Sequence, residues 1–222
     1  MNGNNKSRSV ISNQQDVHRD LVDIVQKHHE HEYRRPIAQH SQAAFAKLDR
    51  LVNTHGGPII LDSGCGTTES SQYLARTYPE HLVIGIDKSG ARLARSMEDR
   101  NLENLCIARA DCVDLWRLAA AQQWPISHHF LLYPNPWPKA KHVRRRWHGH
   151  PVFGALTALG GILELRSNWK IYIAEFELAL ATLGFANDEF KEYLACVPNT
   201  AFERKYQASG HILYRLTAQL SA

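Results

Sequence analysis

The chain has 222 residues, of which 44% are hydrophobic and 22% charged, with a formal net charge of +4. That length suits one domain with a short extension and a full buried core, and the composition is that of a soluble globular protein. No apolar stretch is long enough to span a membrane, the polar start Met1-Asn-Gly-Asn-Asn-Lys lacks a signal-peptide apolar region, and Cys65, Cys106, Cys112 and Cys196 show no pairing pattern for a disulfide framework or zinc site, so a reduced cytoplasmic protein is expected.

Residues 1–13 are polar. A helix is predicted from Gln14 to His29, with Val17, Leu21, Ile24, Val25 and His28 on one face. His28, His29 and His31 lie too close along one helix to converge on an ion, so no metal is expected. Pro36 ends this helix. A second follows with Ala43, Ala44, Phe45, Leu48, Leu51 and Val52 inward, closing at Gly56-Gly57. Residues 1–57 thus read as an N-terminal helical extension whose Lys6, Arg8, Arg34 and Arg35 suit an RNA contact.

From Pro58 the pattern changes to short apolar runs alternating with helical stretches. The runs are Ile59–Leu61, Leu82–Ile86, Leu105–Ala108, Phe130–Tyr133, Ile162–Leu165 and Ile212–Leu216, with helices predicted near 69–78, 89–100, 112–121, 148–159 and 170–183. Continuous apolar strands separated by helices predict a mostly parallel sheet covered on both faces, built by residues 58–222.

The first run ends in Asp62-Ser-Gly64-Cys-Gly66-Thr-Thr68, whose glycines permit a tight turn and close approach of a ligand. The second run ends at Asp87, 21 residues after Gly66, where a carboxylate suits ribose hydroxyls. The third ends at Asp111, suited to an adenine amino group. Acids at successive strand ends outline a nucleoside site, although Asp87 and Asp111 also stand where helix caps stand. After the fourth run, Pro134, Pro136 and Pro138 forbid a continuing strand or helix and impose a rigid loop carrying Asn135 and Trp137. Seven of the next ten residues are basic or potentially so: Lys139, Lys141, His142, Arg144, Arg145, Arg146 and His148. A base-sized slot beside a phosphate-binding surface is the functional reading; a surface turn and a solvated basic segment is the plain one.

The Asp-x-Gly-x-Gly turn with later acidic strand ends resembles the class I S-adenosylmethionine-dependent methyltransferases. Within them, Tyr133-Pro-Asn-Pro-Trp-Pro-Lys-Ala-Lys-His-Val-Arg-Arg-Arg146 resembles the Phe-Pro-Asp-Pro-Trp-x-Lys-x-x-His-x-Lys-Arg-Arg signature of the bacterial tRNA (guanine-N7)-methyltransferases. Ser167-Asn168-Trp169 is similar to that family's Thr-Asp segment, and Thr200-Ala-Phe-Glu203 matches its Thr-x-Phe-Glu segment. The resemblance implies a Rossmann-like, seven-stranded class I methyltransferase fold that takes S-adenosylmethionine and tRNA. It also implies donor binding by Asp62, Gly64, Gly66, Asp87, Lys88, Asp111, Cys112 and Asn135, with Asn135 at the catalytic position. Substrate contacts fall to Trp137, Lys139, Arg144, Arg145, Asn168, Thr200 and Glu203, with Arg146 also on phosphate.

This sequence departs from the family at Asn135 and Asn168, where aspartates face the guanine. An amide hydrogen-bonds but supplies no charge to the ring cation that methylation creates. One lost charge-assisted bond costs about 1–3 kcal/mol, roughly 10- to 100-fold in rate. Two other outcomes follow from the same departure: methylation of an exocyclic amine, since Asn-Pro-Trp-Pro is similar to the Asn-Pro-Pro-aromatic motif of amine methyltransferases, or an RNA-binding paralogue of low activity.

Overall fold

The computed structural model describes residues 7–96 and 102–220. Its strands are β1 (Ile59–Ser63), β2 (Leu82–Asp87), β3 (Leu105–Arg109), β4 (Ile126–Leu132), β5 (Ile162–Ser167), β6 (Lys191–Tyr193) and β7 (Leu213–Gln219). They form one sheet in the order β3-β2-β1-β4-β5-β7-β6. The first five run parallel, and β7 lies antiparallel to both β5 and β6. The helices are α1 (Leu21–Glu30), α2 (Gln39–His55), α3 (Glu69–Thr77), α4 (Gly90–Leu93), α5 (Cys112–Ala121), α6 (Phe153–Thr157), α7 (Lys170–Thr182) and α8 (Ala201–Ala208).

Side-chain alternation along the strands assigns the helices to two layers. Ile59, Leu61, Ile84 and Ile86 enter a large core with Leu21, Ile24 and Val25 of α1, Leu48 and Val52 of α2, Trp116 of α5 and Phe176 of α7. Ile60, Val83, Phe130 and Leu132 point the other way, onto Leu74 and Ala75 of α3 and Tyr206 of α8. Each fully buried aliphatic side chain contributes about 1.5–3 kcal/mol, which is why β1 and β2 are apolar up to their carboxyl-end residues. Gly85 is one requirement of this packing: a Cβ there would stand 2.4 Å from Ser71 Oγ.

The sheet doubles back at β1. The connection to β2 goes one way, while β4 pairs on the other side, so the carboxyl ends of β1 and β4 flank the crevice where open α/β sheets bind ligands.

Several elements differ from the sequence prediction. The first helix begins at Leu21, and residues 7–20 instead run as a strap, because the Glu175 carboxylate of α7 captures Gln14 Nε2 (2.6 Å) and the His18 N–H (2.9 Å). On α2, Leu51 is exposed, and Phe45 is partly buried, stacked on Trp124. The helix predicted at 89–100 is only Gly90–Leu93 within the described residues, and 97–101 lie outside them. Of the helix predicted at 148–159 only α6 (Phe153–Thr157) forms, preceded by 3-10 turns at Ala140–Arg145 and Trp147–Gly149. Gly149 explains part of this, since a Cβ there would meet the Val143 carbonyl oxygen at 2.3 Å. No apolar run marks β6, a three-residue edge strand with Lys191 and Glu192 exposed. No helix of the described residues is long and apolar enough to cross a membrane. All four cysteines are free; Cys65 and Cys112 are buried, Cys106 is half-buried and Cys196 is exposed.

Candidate active site at the carboxyl edge of the sheet

The turn after β1 holds Gly64 at φ 80° and Gly66 at φ 60°, in the left-handed region glycine enters without strain. Nothing lies within 4 Å of where a Gly64 Cβ would stand. The turn is an open backbone cradle. Thr68 takes φ 65° at the head of α3 although it is not glycine. Its hydroxyl is held by Gln72 Nε2 at 3.1 Å and by a short bond with Ser96 Oγ.

The three acids at the strand ends do different work. Asp62 is buried and accepts from Ser70 Oγ and Ser71 Oγ, both at 2.6 Å, so it pins α3 under the cradle; burial raises its pKa against those two hydroxyls. Asp87 accepts from the Gly66 N–H (3.1 Å) and the Ser89 N–H (2.7 Å), and Arg92 Nη1 lies 3.3 Å from it. Its carboxylate thus both shapes the glycine turn and holds a partly solvated cation, Arg92 being 39% exposed. Asp111 caps α5 through the Val113 N–H (3.0 Å) while its side chain stays 29% exposed, so the cap leaves part of the carboxylate open to solvent. Lys88 is exposed next to Asp87. Cys112 is buried at the start of α5, its thiol held protonated by burial and the nearby Asp111 and Asp87 carboxylates.

The proline loop leaves β4 beside the end of β5, where the Tyr133 N–H donates to the Arg166 carbonyl (2.8 Å). Tyr133 and Trp137 adopt φ 52° and 45°, conformations costly for aromatic residues, which the surroundings must impose. Tyr133 is held by its hydroxyl, which donates to Glu203 (2.6 Å). Between the two, Asn135 is exposed, and its Oδ1 accepts from the Trp137 N–H at 3.2 Å. Arg145 sits 4.8 Å over the Trp137 ring, and His142 meets it edge-on. Lys139, Lys141, Arg144 and Arg145 are exposed and form no salt bridge among the described residues.

Two basic residues are not where the sequence put them. Arg146 is fully buried, paired with Glu175 and donating to the Trp137 and Lys139 carbonyls. It cannot meet phosphate; it fastens the loop to α7. Arg35 is committed to Asp114 (2.5 Å), so its charge is not free for RNA. Arg34 is paired with Glu32 and Lys6 lies outside the described residues, which leaves Arg8 exposed.

Thr200 caps α8 by accepting from the Glu203 N–H (2.9 Å). Glu203 has no exposed side-chain surface; besides Tyr133 it takes Arg166 Nη1 (2.8 Å) and the Asn199 N–H (2.9 Å). It is a buried brace behind the loop rather than a solvent-facing carboxylate. Asn168, the first residue beyond β5, is half-buried and meets His211.

Four of these participants were not singled out in the sequence: Arg92, Arg166, Glu175 and His211. Glu175 and Arg166 left a trace, an acid on the apolar face of α7 and a Glu-x-Arg pair inside an apolar strand. His211 and Arg92 left none, because their partners are distant in the chain.

A glycine cradle after β1, acids ending β2 and β3, and a rigid polar loop after β4 define a class I methyltransferase architecture. The chain belongs to the family whose model, described as a putative methyltransferase, matches residues 56–216. It is 29% identical over 181 residues to a tRNA (guanine-N(7)-)-methyltransferase of Leifsonia xyli subsp. xyli, covering 76% of this chain and 78% of that one. It is 31% identical over 168 residues to the protein of that name in Treponema pallidum subsp. pallidum, covering 72% and 66%. Among solved structures, a 16S rRNA (adenine(1408)-N(1))-methyltransferase from Catenulisporales acidiphilia, solved with its cosubstrate S-adenosylmethionine, has the same fold: TM-score 0.53 at 19% identity, covering 77% of this chain and 90% of that one.

Proposed function

We propose that this protein transfers the methyl group of S-adenosylmethionine to guanine N7 in tRNA, in the cytoplasm, with residues 58–222 carrying the chemistry and residues 1–57 forming an extension. Family membership and the relatives' activity support the reaction class. The single observation that carries the reading is the Asn135–Trp137 tip, exposed at Asn135 and followed by four cations without a salt bridge among the described residues, on the sheet edge that also bears the glycine cradle.

The residues fit the donor. The open space at Gly64 accommodates a close ligand, Asp87 and Asp111 stand at strand ends suited to ribose and adenine, and Lys88 lies exposed between them. Bound there, S-adenosylmethionine supplies an electrophilic methyl group on a sulfonium. Guanine N7 already carries an in-plane lone pair, so the protein needs no general base. Its contribution is placement and electrostatics. Asn135 and Asn168 position the base, Trp137 packs beside it, and Lys139, Lys141, Arg144 and Arg145 hold phosphates. Glu203 and Thr200 act on substrate through the loop they brace.

Incubation with labelled S-adenosylmethionine and bulk tRNA, followed by nucleoside analysis, is expected to yield N7-methylguanosine. A methylated exocyclic amine would instead redirect the reaction, and binding without transfer would leave an RNA-binding paralogue. Asn135→Asp preserves the acceptor for the Trp137 N–H and adds a charge beside the developing cation, so the same assay should show a rate gain of roughly 10-fold.

A further inference from the structure

The side chain of Asn168 is not free to choose which way it faces. Its amide nitrogen lies 3.1 Å from His211 Nδ1, and the other ring nitrogen, Nε2, lies 3.0 Å from the Ser7 carbonyl oxygen. A carbonyl only accepts, so Nε2 carries the proton, and on a neutral ring Nδ1 is then a lone pair. Only the NH2 side of the amide can face that lone pair. Both partners are fixed: the Ser7 N–H donates to Ser209 Oγ (2.8 Å), and Tyr206 stacks on the His211 ring at 5.2 Å and 13°. Asn168 Oδ1 therefore points away from His211, and the bond to His211 through the amide nitrogen is the side chain's only hydrogen bond among the described residues. The residue lines a cavity of about 260 Å³ with Ser9, Lys170, His211 and Tyr214. That cavity opens where β5 ends, beside the β4 end that launches the Asn135 loop.

We infer that His211 is a positioning residue that locks the Asn168 amide so that the cavity meets a hydrogen-bond acceptor and not a donor. A neutral amide thereby presents the polarity of a carboxylate, and the ligand edge it selects is one bearing N–H groups. Under the proposed function, on which this identification of the ligand rests, that edge is the N1–H and amino edge of guanine. Without His211 the amide turns, and its NH2 group then opposes the base's own donors.

The test is a double-mutant cycle on kcat/KM for tRNA, read as N7-methylguanosine. His211→Ala should lower it about 10-fold, and His211→Gln, whose amide both accepts from Asn168 and donates to Ser7, should recover most of that loss. In an Asn168→Asp background both oxygens accept and nothing needs orienting, so His211→Ala should then cost less than roughly 2-fold. Equal losses in the two backgrounds would make His211 a mere anchor for the strap and overturn the inference. Nitrogen-15 NMR of the histidine rings supplies a readout independent of turnover: the proton of His211 must reside on Nε2, and finding it on Nδ1 sinks the idea. If the parent protein forms no N7-methylguanosine, the functional reading fails while the NMR result still decides the amide's orientation.

Discussion

Glu175 shows how one buried side chain sets the geometry of a site it never touches. From α7 it accepts from Gln14 and the His18 N–H on the strap, and from Arg146 and His148 (2.8 Å) behind the proline loop. Burial alone would raise its pKa, but His148 and Arg146 bring it down to about 2. His148 stays neutral because burial outweighs the Glu175 contact; it donates from Nε2, and the unpartnered Nδ1 is only a lone pair. Removing the charge leaves Arg146 buried and uncompensated. Glu175→Gln should therefore cost about 3–5 kcal/mol, lowering Tm on the order of 10 °C by calorimetry. The pH dependence has a definite sign. The folded pKa lies below the usual 4.5, so this contribution is complete above 4.5 and fades as the pH falls toward 2. The variant should lose less stability than the parent across that window in acid denaturation.

Among the elements, the segment from β2 into α4 carries the clearest prediction about ligand exchange. Asp87 ends β2 with both oxygens engaged, yet one of its partners, the Arg92 guanidinium, is partly exposed to solvent. A partly solvated pair of this kind is worth about 0.2–1 kcal/mol, roughly 1.5- to 5-fold in binding. Arg92→Met should tighten S-adenosylmethionine by that factor in calorimetric titration. Weaker binding would mean that Arg92 contacts the donor instead of competing with it. The proline loop behaves differently, because its strained residues are clamped from behind by Glu203 and Arg146. Its tip is exposed but its frame is rigid, the arrangement that positioning without acid-base chemistry requires.

At the scale of the whole molecule, charge placement outweighs net charge. The chain's +4 is modest, and many arginines are spent on internal pairs: Arg35 with Asp114, Arg146 with Glu175, Arg166 with Glu164 and Glu203. Four exposed cations without a salt bridge among the described residues cluster at Lys139, Lys141, Arg144 and Arg145, and the two lysines line a cavity with Ile11, Ser12 and Asn13 of the strap. Each of these cations that meets a phosphate contributes about 0.7–0.9 to the slope of log K against log salt. Neutralising Lys139 and Arg144 together should reduce the tRNA slope by about 1.5, with the affinity loss greatest at low salt. An unchanged slope would place the RNA on another face.

The five parallel strands, the glycine turn and the proline loop were legible in the chain itself, because each is set by local chemistry: apolar runs that must be buried on both faces, φ values only glycine reaches cheaply, and prolines that cannot continue a strand. The strap at 7–20, the polar edge strand β6 and the broken helix near 148 were not, since each depends on a partner far along the chain: Glu175, β7 and the Val143 carbonyl. The same division holds within the site. Sequence alone named which acids, amides and cations gather after the strands. Only the tertiary structure decided that Arg146 and Glu203 face inward as braces, that Arg92 sits on Asp87, and that His211 stands against Asn168, because a side chain's role follows from what stands opposite it in space.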